Sequence, residues 1–277
     1  MAFIHGLNPD IIKIGPIRLR WYGLMYLLGF VASYYLIRSQ PRARRLGLQG
    51  RVLQDLIFYI GLGLIVGARL GYILFYQFHD LGHYVQHPLE IFAIWHGGMS
   101  FHGGLIGALI GGIYFCRRCG LPAWEVADTV IVTTPIGLGL GRVGNFINGE
   151  LYGRPSSLPW AVIFPAGGAV PRHPSQLYEA ALEGLLLFTI LWRLNKLDLP
   201  PGSMVCLFLG GYGLLRFVAE FFRQPDAYAF CFLCFGQSPH EPLAFLTCER
   251  TIFMDRVLDL LFLFRQPYAS SWRHRSS

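Results

Sequence analysis

Apolar residues along the 277-residue chain gather into long runs separated by short polar connections. A membrane-crossing helix needs about 20 largely apolar residues, so the runs near 21–38, 52–78, 89–115, 124–147, 177–193 and 203–222 predict six spans. The expected fold class is all-α, a polytopic integral membrane helix bundle. A seventh span is degraded: after Pro225-Asp226 the apolar run covers only Ala227 to Gly236 and breaks at Ser238-Pro239-His240-Glu241-Pro242. A later stretch, Thr251 to Phe264, is interrupted by Asp255, Arg256 and Asp259. The interval 148–176 carries Pro155, Pro159, Pro165, Pro171 and Pro174, too many for a helix, and is long for a simple turn. It predicts an arm or cap outside the membrane, suited to a polypeptide or a lipid headgroup. Within the spans, Gly61-x-Gly63-x-x-x-Gly67-x-x-x-Gly71 and the Gly103 to Gly112 cluster repeat small residues at the spacing that lets membrane helices approach closely.

Composition agrees with the pattern. Hydrophobic residues make up 53% and charged residues 14%, with a mean hydropathy of +0.44, against about 25% charged in a soluble domain. Met1 to Arg20 has neither the apolar core nor the cleavage site of a signal peptide, so the first span is expected to direct insertion. Basic residues alternate by connection. Arg38, Arg42, Arg44, Arg45 and Arg51 lie between the first two spans, Arg117 and Arg118 after the third, and Arg193 and Lys196 after the fifth. The second connection has none, and the long 148–176 interval has Arg154 and Arg172. The positive-inside rule then predicts cytoplasmic first, third and fifth connections and an N-terminus outside, with Lys13, Arg18 and Arg20 weighing slightly against it. The net charge of +7 and pI near 9.2 fit anionic lipid surfaces rather than nucleic acid, because the basic residues flank spans. Six cysteines include the C-x-x-C pairs Cys116/Cys119 and Cys231/Cys234. Their settings, a helix end and an aromatic run, favour packing over zinc or redox chemistry.

The candidate chemistry concentrates in Gly141-Arg142-Val143-Gly144-Asn145-Phe146-Ile147-Asn148-Gly149-Glu150, which puts charged and amide side chains at the end of an apolar run. Ionisable residues inside a membrane face a bundle interior or watery cavity and are functional by default. Gly139 to Gly144 formally matches G-x-G-x-x-G, but it lacks the strand before it and the acidic residue about 20 positions on that the dinucleotide motif requires. In the last clear span, Tyr212, Arg216 and Glu220 share a helical face. An Arg216–Glu220 ion pair would by itself let both charges survive there. Arg142 and Arg216 also sit in the outer halves of two spans running the same way, and two guanidiniums at one depth suit a phosphate or carboxylate. Tyr26 could donate a hydrogen bond to such a site or belong to an aromatic belt. His102 is expected near the middle of the third span, flanked by glycines, where it is either a general base or a hydrogen bond between helices. His96 and His102, about 120° apart on a helix, are poor partners for one metal, and no H-E-x-x-H occurs. Two rival classes, a transporter or channel and a lipid-binding scaffold, remain; the halves show no convincing inverted repeat and no regular ring of like charges.

Five ordered segments carry a resemblance: Arg20-Trp21-Tyr22-Gly23-Leu24-Met25-Tyr26; Phe101-His102-Gly103-Gly104; Gly141 to Gly153; His173-Pro174-Ser175-Gln176-Leu177-Tyr178-Glu179; and Tyr212-Gly213-x-x-Arg216-x-x-x-Glu220-Phe221-x-Arg223. The chain resembles the bacterial prolipoprotein diacylglyceryl transferase family over roughly residues 15–226. The resemblance implies a seven-helix inner-membrane enzyme that moves the diacylglyceryl group of phosphatidylglycerol to the lipobox cysteine of a prolipoprotein signal peptide, releasing glycerol 1-phosphate. It implies catalytic roles for Tyr26, His102, Asn145, Glu150, Arg216 and Glu220, substrate binding by Arg142, Arg216, Gly153 and Tyr212, a site toward the outer leaflet, and no metal, cofactor or nucleic acid. Residues 1–226 form the expected transmembrane catalytic domain, with the cap at about 148–176. Residues 227–277 retain Gly236-Gln237 but otherwise depart from the family, as a divergent or frame-shifted tail would.

Overall fold

The computed structural model describes residues 3–14, 17–78, 81–92 and 98–224. His96, Cys231, Cys234 and the whole tail, with the expected seventh span, lie outside the described residues. The helices are α1 (Trp21–Ser39), α2 (Pro41–Arg45), α3 (Gly50–Tyr76), α4 (Leu81–Gln86), α5 (Phe101–Cys119), α6 (Ala123–Ile131), α7 (Thr134–Asn148), α8 (Ser175–Glu179), α9 (Leu187–Leu194) and α10 (Ser203–Glu220). A π-helical turn, Ala180–Leu186, joins α8 to α9.

The helical class stands, and each of the six predicted runs contains helix. Helices α3 and α10 are each long and apolar enough to cross a membrane, and α6 with α7 make a third if the pair, bent by 41°, is one span. Two boundaries differ from the sequence expectation. The run 124–147 breaks at Val132-Thr133, where Pro135 near the start of α7 cannot donate into a continuous helix. In the run 89–115 a 3-10 turn covers Pro88–Phe92, and the α-helix α5 starts at Phe101. Gly98 adopts φ +77°, and the Ser100 hydroxyl then accepts the Gly103 N–H at 3.2 Å, an N-cap that starts α5.

Five short strands also lie outside the bundle: β1 (Phe3–Ile4), β2 (Asp10–Ile14), β3 (Ile17–Arg20), β4 (Val162–Ile163) and β5 (Pro171–Arg172). Strands β2 and β3 form an antiparallel hairpin, while β4 pairs with β1 on one side and β5 on the other. The proline-rich interval is thus tied to the N-terminal segment. His5 completes the join: its Nε2 lies 2.7 Å from the Phe146 carbonyl at the end of α7.

Glycine sets how the helices pack. A Cβ on Gly63, Gly67 or Gly107 would fall inside a backbone carbonyl of the facing helix, so α3 and α5 touch backbone to backbone. Helix α1 lies on α7 in a similar way, with Gly29 against Gly137 and Gly144 against Tyr22. At one end of the bundle Ile37, Leu53, Leu56, Phe115, Cys116 and Val126 close a core. Cys116 therefore packs, as expected, whereas Cys119 is exposed. Because α1, α3, α5 and α6 meet there, Trp21, Tyr76, Phe101 and Asn148 lie toward the opposite end.

The same core end holds a buried ion pair, Arg42 Nη1 to Asp128 Oδ2 at 3.0 Å. Asp128 also accepts the N–H groups of Gly202 (2.8 Å) and Val205 (3.1 Å), placing a carboxylate on the N-terminus of α10 where the helix dipole favours it. Removing it would leave both Arg42 and the helix end uncompensated. Asp128→Ala is expected to lower stability by about 3–5 kcal/mol, measured as the denaturation midpoint in detergent; an unchanged midpoint would contradict this role.

Candidate active site

The opposite end of the bundle carries a cluster of arginines and glutamates. Arg142 on α7 places Nε 2.8 Å from Glu179 Oε2 and Nη2 3.7 Å from Glu183 Oε2. Arg216 on α10 places Nη1 3.2 Å from the same Glu179 oxygen and 3.6 Å from Glu183 Oε1. Its Nη2 donates to Glu220 Oε2 at 2.8 Å, one turn further on. Arg223 reaches Glu179 at 4.0 Å and Glu220 at 3.9 Å. Glu179 and Glu183 are 1% and 0% exposed, whereas Arg142 and Arg216 keep 20% and 18% of their side-chain surface open. The carboxylates are the floor of the site and the guanidiniums its accessible wall.

This convergence has a local cause. Glu179 ends α8 and Glu183 falls within the π-turn, so the helix swells by a residue where it must present both carboxylates to α7 and α10. Gly184 lets α7 come in, since its Cβ would lie 2.7 Å from the Cα of Gly139. Among the described residues the four oxygens of Glu179 and Glu183 have no hydrogen bond of good geometry, so ion pairing alone satisfies them.

Several of the predicted site residues assemble around this core. Tyr212, one turn before Arg216, interacts with Arg142, Arg216 and Glu183. The Tyr26 hydroxyl lies 3.1 Å from that of Tyr22, and Tyr22 is near enough to Arg142 and Glu150 to interact with both. Gly144 permits this approach, because a Cβ there would press on the Tyr22 ring at 2.9 Å. Asn145 is buried, and its carbonyl accepts the Glu150 N–H at 3.1 Å as α7 ends. The Glu150 carboxylate takes a hydrogen bond from Asn148 Nδ2 at 3.1 Å.

Gly153 sits where the chain crosses two other segments. Its N–H donates to the His173 carbonyl at 2.9 Å, and a Cβ would meet the Phe222 carbonyl at 2.5 Å and His173 at 2.7 Å. Only glycine fits, and the contact ties the start of the proline-rich interval to the end of α10. Burial lowers the His173 pKa from its ordinary value, and the ring faces the Tyr178 hydroxyl at 3.3 Å.

His102 differs from expectation. It occupies the first turn of α5 rather than mid-span, and it is exposed, not lined by glycine. The reason is the late helix start: Gly103, Gly104 and Gly107 turn toward α3, and His102, one residue before them, points away. Among the described residues no hydrogen bond or ion pair joins His102 to the arginine cluster.

Sequence reasoning missed Glu183, Tyr22 and the partner role of Glu179 and Arg223. One signal was available. Two glutamates four apart in an apolar span share a face and require counter-cations from other helices. Among the described residues no three His, Cys, Asp or Glu side chains converge as a metal-ligand set.

A helical bundle whose charged end brings two largely covered guanidiniums, from separate helices, to one shared carboxylate oxygen defines a membrane-type protein with a buried arginine–glutamate cluster. Comparison with known proteins gives the family. The prolipoprotein diacylglyceryl transferase profile matches residues 9–248, continuing past Asp226. The phosphatidylglycerol-prolipoprotein diacylglyceryl transferase of Geobacter sulfurreducens is 52% identical over 227 residues, 82% of this chain and 86% of the relative. That of Azoarcus is 52% identical over 234 residues, covering 83% and 87%, and that of Coxiella burnetii 46% identical over 247 residues, covering 88% and 94%. The chain belongs to the prolipoprotein diacylglyceryl transferase family.

Proposed function

We propose that this protein transfers the diacylglyceryl group of phosphatidylglycerol to the lipobox cysteine thiol of a prolipoprotein, the first step of lipoprotein maturation. The cysteine sulfur forms a bond to the glyceryl carbon, that carbon's bond to the phosphate oxygen breaks, and glycerol 1-phosphate leaves with the electron pair. The thiol proton passes to a base. Family membership supports the activity, and one observation carries its location: Arg142 and Arg216, from different helices, both reach a single carboxylate oxygen at 2.8 and 3.2 Å.

That geometry is what a phosphate oxygen requires. Arginine remains charged and offers a planar fork of donors, and charge developing on the departing phosphate would be stabilised by donors already held in place. Tyr212 and Tyr26 line the approach, while Asn145, Glu150 and Glu220 orient the headgroup or the guanidiniums. Glu179 and Glu183 fix the two arginines from below. A cysteine thiol of ordinary pKa near 8.5 is only a few per cent ionised at pH 7, so a base raises the reactive fraction. His102 takes that role when the peptide docks between α5 and the cluster.

The chain crosses the bacterial inner membrane six or seven times, with its N-terminus outside and the arginine cluster toward the outer leaflet. Arg38, Arg42, Arg44, Arg45, Arg51, Arg117 and Arg118 gather at the other, cytoplasmic end, which supports this orientation. Purified protein given phosphatidylglycerol and a lipobox peptide is expected to add a diacylglyceryl thioether to the peptide, read as a mass gain. A peptide left unchanged by folded protein would overturn the proposal.

A further inference from the structure

The backbone just beyond α7 is held in a conformation that ordinary residues avoid. Gly149, at φ +70°, turns the chain out of the helix. The Glu150 N–H returns to the Asn145 carbonyl at 3.1 Å, the bond that closes a Schellman motif and places Glu150 at its exit. The next residue, Leu151, has φ +57°; among the described residues it is the only non-glycine with positive φ. A side chain with a Cβ is disfavoured there, and such strain persists only where the surroundings over-determine it.

Two buried side chains supply that determination. Gln176 Nε2 donates to the Glu150 carbonyl at 2.6 Å, and Ser175 Oγ to the Leu151 carbonyl at 3.2 Å. Both residues are 0% exposed, and the other amide atom of Gln176 has no hydrogen-bond partner among the described residues. They stand on α8, the short helix that ends in Glu179, the carboxylate between Arg142 and Arg216. One turn of helix thus grips the backbone that carries Glu150 and the guanidinium pair together.

We propose that Gln176 and Ser175 are positioning residues, which force the Glu150–Leu151 backbone into its strained turn and so set the Glu150 carboxylate in register with the arginine cluster. The inference rests on the reading that Glu150 acts at that site. A displacement of about 1 Å at a reacting centre can cost on the order of a hundredfold in rate, which is the scale on which a lost grip would act.

The test compares kcat and KM for phosphatidylglycerol in the purified enzyme and in Gln176→Ala, Gln176→Glu, Ser175→Ala and Glu150→Gln, with the melting midpoint of each. Gln176→Ala is expected to lose roughly ten- to a hundredfold in kcat, with KM and melting midpoint close to the parent. Ser175→Ala should lose less. Gln176→Glu keeps the shape but turns a donor into a repelling carboxylate; its kcat relative to the parent should recover as pH falls, because the protonated acid can again donate to the Glu150 carbonyl. A merely structural residue would lower melting and kcat together with no such recovery, and that result would overturn the inference. Parental kcat in both Gln176 variants, with Glu150→Gln inactive, would also overturn it while leaving the site reading intact. A fully active Glu150→Gln would overturn both.

Discussion

Arg142→Ala is expected to abolish turnover in protein that still folds. The side chain supplies one of two guanidiniums at the shared oxygen, with Nε at 2.8 Å and 20% of its surface open. Binding of the headgroup phosphate and stabilisation of the leaving phosphate both depend on that fork, so the losses compound. Loss of a single preorganised donor costs about 10²- to 10³-fold in rate, and removal of a full charge at the same place should cost at least that. Arg142→Lys should recover little, because an ammonium is a compact point charge without the extended planar fork that bridges Glu179 and a phosphate oxygen. Turnover at saturating lipid, with size-exclusion profile and tryptophan fluorescence as folding controls, checks the expectation. Parental turnover in folded Arg142→Ala would remove the phosphate role.

Glu179→Ala should cost stability on the same scale as Asp128→Ala. Its carboxylate, 1% exposed, meets Arg142, Arg216 and Arg223, at 2.8, 3.2 and 4.0 Å. Deletion leaves Glu183 and Glu220 to balance three guanidiniums, and removing one partner of a buried ion pair costs about 3–5 kcal/mol through the charge left behind. Glu179→Gln should lose part of that, since the amide keeps the volume and one carbonyl acceptor. Turnover should fall in both, because Arg142 and Arg216 lose their common anchor. Denaturation in detergent reads the stability, and an alanine variant as stable as the parent would show that the cluster does not depend on its central carboxylate.

The helical runs were legible because a bilayer imposes length and apolarity at once. Trp21–Ser39 and Gly50–Tyr76 fall close to the predicted 21–38 and 52–78. The glycine stripes of α3 and α5 were legible for the same reason, since small residues four apart face one neighbour. Boundaries inside apolar stretches were harder to see. Hydropathy passes smoothly through Gly98 and Ser100, where backbone conformation and a cap start α5, and this moved His102 from mid-span to the first turn. It also passes through Val132-Thr133, where α6 and α7 part. The short strands escaped because pairing of Phe3-Ile4 with Val162-Ile163 is set by chain closure, not by local pattern.

Within the site, Arg142, Tyr212, Arg216 and Glu220 could be found from single-helix spacing, and the structure brings them together. Glu183 could not be placed until the π-turn fixed which way it faces. Gly153 was legible only through the family; its geometric reason, a crossing beneath Phe222 and His173, depends on segments far apart in sequence.

The central claim is that a phosphatidylglycerol phosphate is held by the arginine pair and leaves as sulfur takes its place. Release of glycerol phosphate from phosphatidylglycerol by the purified protein tests it most directly, with a cysteine lipobox peptide, with the same peptide carrying serine instead, and with no peptide. The account predicts release only with the cysteine peptide, one glycerol phosphate per modified thiol. Release that is indifferent to the thiol, or none from folded protein, would contradict it.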